Sequence, residues 1–129
     1  MYGIIATWRM ALEGISKADS MLKNNESAAD SIEEAIKAVE DFEYYKSVGY
    51  GGLPNEEMEV ELDAAFMDGD TLEFGCVGGV KDFANPVSIA RSLMHYDANN
   101  FLIGQGAEKY ASRHGFERKT MLTDRAKIH

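Results

Sequence analysis

Acidic side chains dominate the residues of this chain that could do chemistry. Glu56, Glu57, Glu59, Glu61 and Asp63 fall within eight positions, and Asp68 and Asp70 follow. Carboxylates at such density could hold a cation, but no histidine lies nearby and the spacing of a calcium loop is absent. Strict alternation assigns the glutamates to one face of a strand, where they meet solvent. Asp63 is followed by Ala64, Ala65 and Phe66, so it is expected to be partly buried and to need hydrogen-bond partners. The glycine run "GYGG" at 49–52 could suggest a phosphate cradle. It has neither the Lys-Ser/Thr of a P-loop nor the dinucleotide spacing, and reads as a tight turn before a strand.

The remaining candidates are isolated. Cys76, the only cysteine, excludes an internal disulfide and has no histidine near it in sequence, so it reads as a small core residue. His95, His114 and His129 stand near helix ends or in the tail, where surface or capping roles are expected. Trp8, the only tryptophan, closes a short apolar run just before a helical pattern. That position suits either a core residue or a binding contact at a strand end. No triad, general-base pair or metal cluster can be assembled from these residues, and no cofactor is implied.

The elements that must position them follow from periodicity. Residues 2–8, YGIIATW, read as a buried strand. From Arg9 to Lys23, apolar residues recur at three- and four-residue spacing, which predicts an amphipathic helix. Ser27 is the expected N-cap of a second helix reaching about Phe42, its apolar face formed by Ile32, Ala35, Ile36 and Val39. A glycine-rich loop leads to an alternating strand from Met58, with Met58, Val60, Leu62, Ala64 and Phe66 inward. MDGD then predicts a tight turn and Thr71–Val80 a returning strand, together a β-hairpin. Gly75, Gly78 and Gly79 inside that strand imply that another backbone packs close by. Asn85-Pro86 starts a third helix, NNFLIG is a short strand, and 104–115 a helix closed by Gly115. Residues 116–129 form a polar tail. The expectation is one α/β (α+β) domain over 1–129, with about four strands and helices on at least one side.

Bulk properties agree with that. Thirteen basic residues are scattered against a net charge of -9, which argues against a nucleic-acid partner. No stretch approaches the roughly 20 apolar residues of a membrane helix, and the N-terminus lacks the features of a secretory signal. A soluble, cytoplasmic protein is expected.

The order of blocks "ATW" (6–8), "SVGYGGLP" (47–54), "ELDAAFMDGD" (61–70), "VGGVKDFANPVSIARSLM" (77–94) and "NNFLIGQGAEKYASRHGF" (99–116) resembles the N-terminal α subunit of glycosylasparaginase, the N4-(β-N-acetylglucosaminyl)-L-asparaginase of the N-terminal-nucleophile hydrolases. Isoaspartyl peptidases, the plant-type asparaginases, share the layout, while the "TW" and "SVGYGG" forms favour the glycosylasparaginase branch. The resemblance implies the N-terminal part of a four-layer αββα sandwich. It implies self-cleavage before a threonine, after which that threonine, leading a β subunit, attacks the side-chain amide of an asparagine derivative. It implies an (αβ)2 assembly, with this chain supplying no catalytic residue and Trp8 bordering the substrate pocket. The family nucleophile follows a His-Asp pair and opens a TIGM-like strand, and no such segment occurs here. The dipeptide Asp70-Thr71 lies in the hairpin turn and is rejected as a cleavage site. A truncated fragment acting only as an assembly module is the reading from another class.

Overall fold

The computed structural model describes residues 1–128. Four helices and three strands follow in the order α1 (Leu12–Lys23), α2 (Ala28–Glu40), β1 (Leu62–Met67), β2 (Phe74–Val80), α3 (Pro86–Leu93), β3 (Phe101–Ile103) and α4 (Gly104–Arg113). The chain is therefore mixed α and β, as expected, but the sheet has three strands among the described residues rather than about four.

The missing strand is the first. Residues 2–8 run as an exposed segment outside any sheet, followed by a 3-10 turn at Arg9–Ala11. Apolar, β-branched composition favours a strand only when a neighbour supplies the ladder and covers the face. Neither is present beside this segment. Tyr2 anchors it, its hydroxyl donating to Asp19 Oδ1 on α1 at 2.7 Å.

The two N-terminal helices form an antiparallel hairpin as their periodicity dictates. Ser27 caps α2, its side-chain oxygen accepting the Asp30 N–H at 3.0 Å. At the crossing, Gly14 of α1 lies so close to Ala35 that a Cβ would strike the Ala35 carbonyl. Arg91 of α3 ties this hairpin to the sheet layer through Asp30, at 2.7 Å, and through Glu33.

β1 and β2 pair antiparallel, and β3 joins β2 in parallel, giving the order β1-β2-β3. The hairpin forms as expected, but each of its strands starts later than read. β1 begins at Leu62 rather than Met58, because Asn55 folds the preceding residues into a turn. Asn55 Oδ1 accepts the N–H groups of Glu57 and Glu59, each at 3.0 Å, and Met58 takes a left-handed φ of 63°. β2 begins at Phe74 rather than Thr71 for a similar reason. Asp68 Oδ1 accepts the Asp70 N–H at 2.8 Å, so the tight turn becomes a longer loop.

The core lies between the sheet and helices α3 and α4, built on Phe66, Val77, Val80, Ile89, Leu93 and Ala107. The inward parity of β1 is as read from the alternation, with Leu62 and Phe66 buried. The close backbone approach expected of the β2 glycines holds at Gly75, where a Cβ would collide with the Ala90 carbonyl oxygen of α3; a Cβ at Gly78 would meet only side-chain atoms of Ile103 and Asp63, and one at Gly79 nothing within 4 Å. The tail over residues 116–128 packs back on the body. Arg118 bridges to Phe83, Met121 is 1% exposed beside Val60 and Leu62, and Ala126 is buried.

Candidate functional site

Trp8 stands at the mouth of an open apolar groove of about 860 Å³. One wall is the N-terminal segment, with Ile4 and Ile5; the other is the helical hairpin, with Ile15, Ile32, Ile36 and Val39. The amphipathic faces of α1 and α2 are thus real but half-covered: Ile32 is 43% exposed and Trp8 66% exposed. An indole so exposed is not a core residue of this chain. The segment is pinned to α1 by an exposed network in which Asp19 accepts from Lys23 at 2.6 Å and from Tyr2. The Lys23 and Tyr2 bonds hold the Asp19 carboxyl below its ordinary range.

The acidic stretch does not converge. Glu57, Glu59 and Glu61 are exposed. Glu59 pairs with Lys81 at 2.6 Å, and Glu61 accepts from the Asn55 amide at 3.0 Å. Among the described residues no group of histidine, cysteine and carboxylate side chains could hold a metal ion. Asp63 is exposed rather than partly buried, because its odd parity turns it to the open sheet face. It is nevertheless a structural hydrogen-bonder. Its Oδ1 accepts the Gly79 N–H at 2.8 Å, beside the irregularity in β1–β2 pairing between Leu62 and Ala64.

The glycine loop spends its amides internally. Tyr50 N–H donates to the Glu40 carbonyl at 2.7 Å, Gly51 N–H to the Met121 carbonyl at 2.9 Å, and Gly52 N–H to the Gly49 carbonyl at 3.1 Å. Gly49 and Gly51 have φ of 63° and 80°, and a Cβ on either would strike the backbone of Glu40 or Glu43. The loop is a wrapper around the end of α2, and three spent amides leave no phosphate cradle.

Thr71 lies exposed in the hairpin loop with its hydroxyl on Glu73 at 3.1 Å. Cys76 is half-buried on β2. His95 is exposed with Nδ1 3.6 Å from Glu73. His114 stacks on Tyr110 at 3.9 Å, and its Nδ1 lies 2.9 Å from the Tyr110 carbonyl, a capping role at the end of α4. His129 lies outside the described residues.

One residue escaped the sequence reading. Glu40, the last residue of α2, is only 5% exposed. Its Oε1 accepts the Val87 N–H at 3.1 Å and its Oε2 the Asn85 side-chain amide at 3.2 Å. Asn85 occupies the N-cap position of α3 as expected, yet in a left-handed conformation and with no cap bond of its own. Glu40 caps the helix instead. Burial pushes its carboxyl up to about 7, against the opposing pull of the Asn85 and Val87 bonds. A charged residue closing an amphipathic pattern gives no hint of this, since its partners lie more than forty positions downstream.

Similarity to known proteins fits this arrangement. A protein-family profile described as Asparaginase matches residues 5–128. The chain is 34% identical over 120 residues to N(4)-(Beta-N-acetylglucosaminyl)-L-asparaginase of Elizabethkingia miricola, covering 93% of this chain and 35% of that protein. It is 38% identical over 124 residues to the rat isoaspartyl peptidase/L-asparaginase, covering 91% of this chain and 37% of that protein. A plant-type L-asparaginase of Thermococcus kodakarensis is 37% identical over 121 residues, covering 94% and 35% respectively. The chain thus spans about a third of the length of these curated relatives. With the match running from the first apolar segment through the packed tail, the chain belongs to the asparaginase family.

Proposed function

We propose that this chain is the N-terminal, α-type portion of an amidohydrolase that cleaves the side-chain amide of a glycosylated asparagine and releases aspartate. The nucleophile in this reading is a threonine that leads a separate β segment. Its α-amine takes the hydroxyl proton, and the alkoxide attacks the amide carbon. The amine leaves with a proton, and water then cleaves the resulting ester. This chain contributes no reacting group. Trp8 borders the asparagine pocket from the end of the first apolar segment.

The observation that carries the reading is the bare apolar surface of a family member one third the length of its relatives. Met67, Phe74, Phe101 and Ile103 project from the sheet face away from α3 and are each 45–67% exposed. Such a face demands a second layer. A downstream β segment stacking a second sheet there supports a four-layer αββα sandwich in an (αβ)2 assembly. The same segment gives residues 2–8 the strand neighbour they lack.

The isoaspartyl peptidase and L-asparaginase reading uses the same nucleophile and rests on the 38% identity to the rat relative. A single preparation tests both. The chain is produced with its natural downstream segment, and mass spectrometry looks for a fragment that begins with threonine. Turnover is then compared on a glycosylated asparagine, free asparagine and a β-aspartyl dipeptide. A threonine-led fragment with preference for the first substrate is expected. Preference for either other substrate favours the second reading. Absence of any such fragment removes the hydrolase proposal and leaves an assembly module.

A further inference from the structure

Glu40 lies where three parts of the fold meet. Its carboxylate accepts from Val87 N–H and Asn85 at the start of α3. Its backbone carbonyl accepts the Tyr50 N–H of the glycine loop, and Gly49 packs directly on its backbone. We propose that the Glu40 carboxyl is a proton-operated latch between α2, the glycine loop and α3, tight when neutral and looser when charged.

The geometry supplies the reason. A carboxylate almost wholly withdrawn from water needs a counter-charge or several donors to remain ionised at low cost. Glu40 has two donors, both neutral. Its charged surroundings work against it. Glu33 of α2 and Asp41 just past its end act on it with like charge. Asp41 also takes the Asn85 amide at 2.8 Å, so the same side chain is shared between two carboxylates. Glu61, just before β1, and Asp63 of β1 line the same cavity of about 320 Å³, and no lysine or arginine lines it. Arg91 of α3 is occupied by Asp30 and Glu33. Lys119 of the tail sits 4.0 Å from the Tyr50 ring centre. The positive end of α3 adds a favourable field at the carboxylate.

Burial sets the carboxyl midpoint at about 7, so the latch responds near neutrality. The neutral acid keeps a carbonyl oxygen for Val87 N–H without the cost of an enclosed charge. Ionisation favours local opening, in which water reaches the carboxylate and the loop lifts from the end of α2. This inference concerns a structural joint and does not depend on the hydrolase reading.

The test is amide hydrogen exchange at Tyr50 and Val87 in the intact protein at pH 6 and pH 8, corrected for the intrinsic pH dependence of exchange. With a closed-state midpoint at about 7 and an ordinary one when open, the opening constant rises about tenfold across that interval. Glu40→Gln should abolish that rise while keeping an oxygen for the Val87 bond. An equal rise in E40Q, or none in the wild type, overturns the proposal. Should E40Q fail to fold, titration of the Glu40 carboxyl carbon in the wild type by NMR decides. A midpoint near neutrality is expected, and one in the ordinary glutamate range overturns it.

Discussion

Glu40 at the end of α2 accepts the backbone N–H of Val87 at the start of α3, 3.1 Å away in space and 47 positions apart in sequence. One helix thus closes the first turn of another, and it does so with a carboxyl that burial renders only weakly acidic.

This relationship gives the stability a pH dependence with a definite sign. The folded carboxyl, at about 7, holds its proton more tightly than the unfolded one, so folding is favoured on the acid side. That contribution is full below the ordinary glutamate range and is lost as pH rises to about 7, amounting to ~3 kcal/mol at most. Asp19, Asp30 and Glu34 act oppositely. The bonds from Lys23, Ser27 and Lys17 hold their carboxyls low, so their support is lost only as the solution becomes strongly acid. Thermal unfolding followed by circular dichroism should give a Tm that declines between pH 5 and 7.5. A Tm that climbs across that range would contradict this sign.

Gly75→Ala should destabilise the fold by about 1–3 kcal/mol, because the added methyl meets the Ala90 carbonyl and Leu93 of α3, which cannot retreat without parting the core. Gly69→Ala is the control. It lies in the exposed hairpin loop with nothing within 4 Å of the new Cβ, and should change stability by no more than about 0.5 kcal/mol. Urea unfolding of the two variants gives the comparison; equal midpoints would refute the close approach at Gly75.

Trp8→Ala separates binding from folding. The indole is 66% exposed, so its loss should leave Tm nearly unchanged. In a processed enzyme carrying both segments, kcat/KM should fall about tenfold, ~1.4 kcal/mol of lost transition-state binding, while self-cleavage proceeds. Unaltered kinetics would remove Trp8 from the pocket.

The chain prepared alone should self-associate. Met67, Phe74, Phe101 and Ile103 leave one sheet face apolar and open, and β1 and β3 are both unpaired edges. Light scattering should show a mass above that of one chain, reduced by Phe101→Lys. A clean, cooperatively folding monomer would show that this surface needs no cover.

The sequence by itself determined what local forces decide. Ser27 capping α2, the apolar faces of α1 and α2, the inward parity of Leu62 and Phe66, Pro86 opening α3 and Gly115 closing α4 were all legible. Each depends on groups within a turn or two of chain, where periodicity and capping act. Tertiary structure alone decided the rest. The apolar segment 2–8 is not a strand here, since a strand exists only with a neighbour to complete its ladder. The polar-looking tail packs because Met121 finds Val60 and Leu62. Asp63 keeps its hydrogen bond yet stays exposed, and Glu40 becomes a buried cap, because burial depends on which distant element arrives above a side chain. That arrival is a property of long-range packing, which no short window of residues encodes.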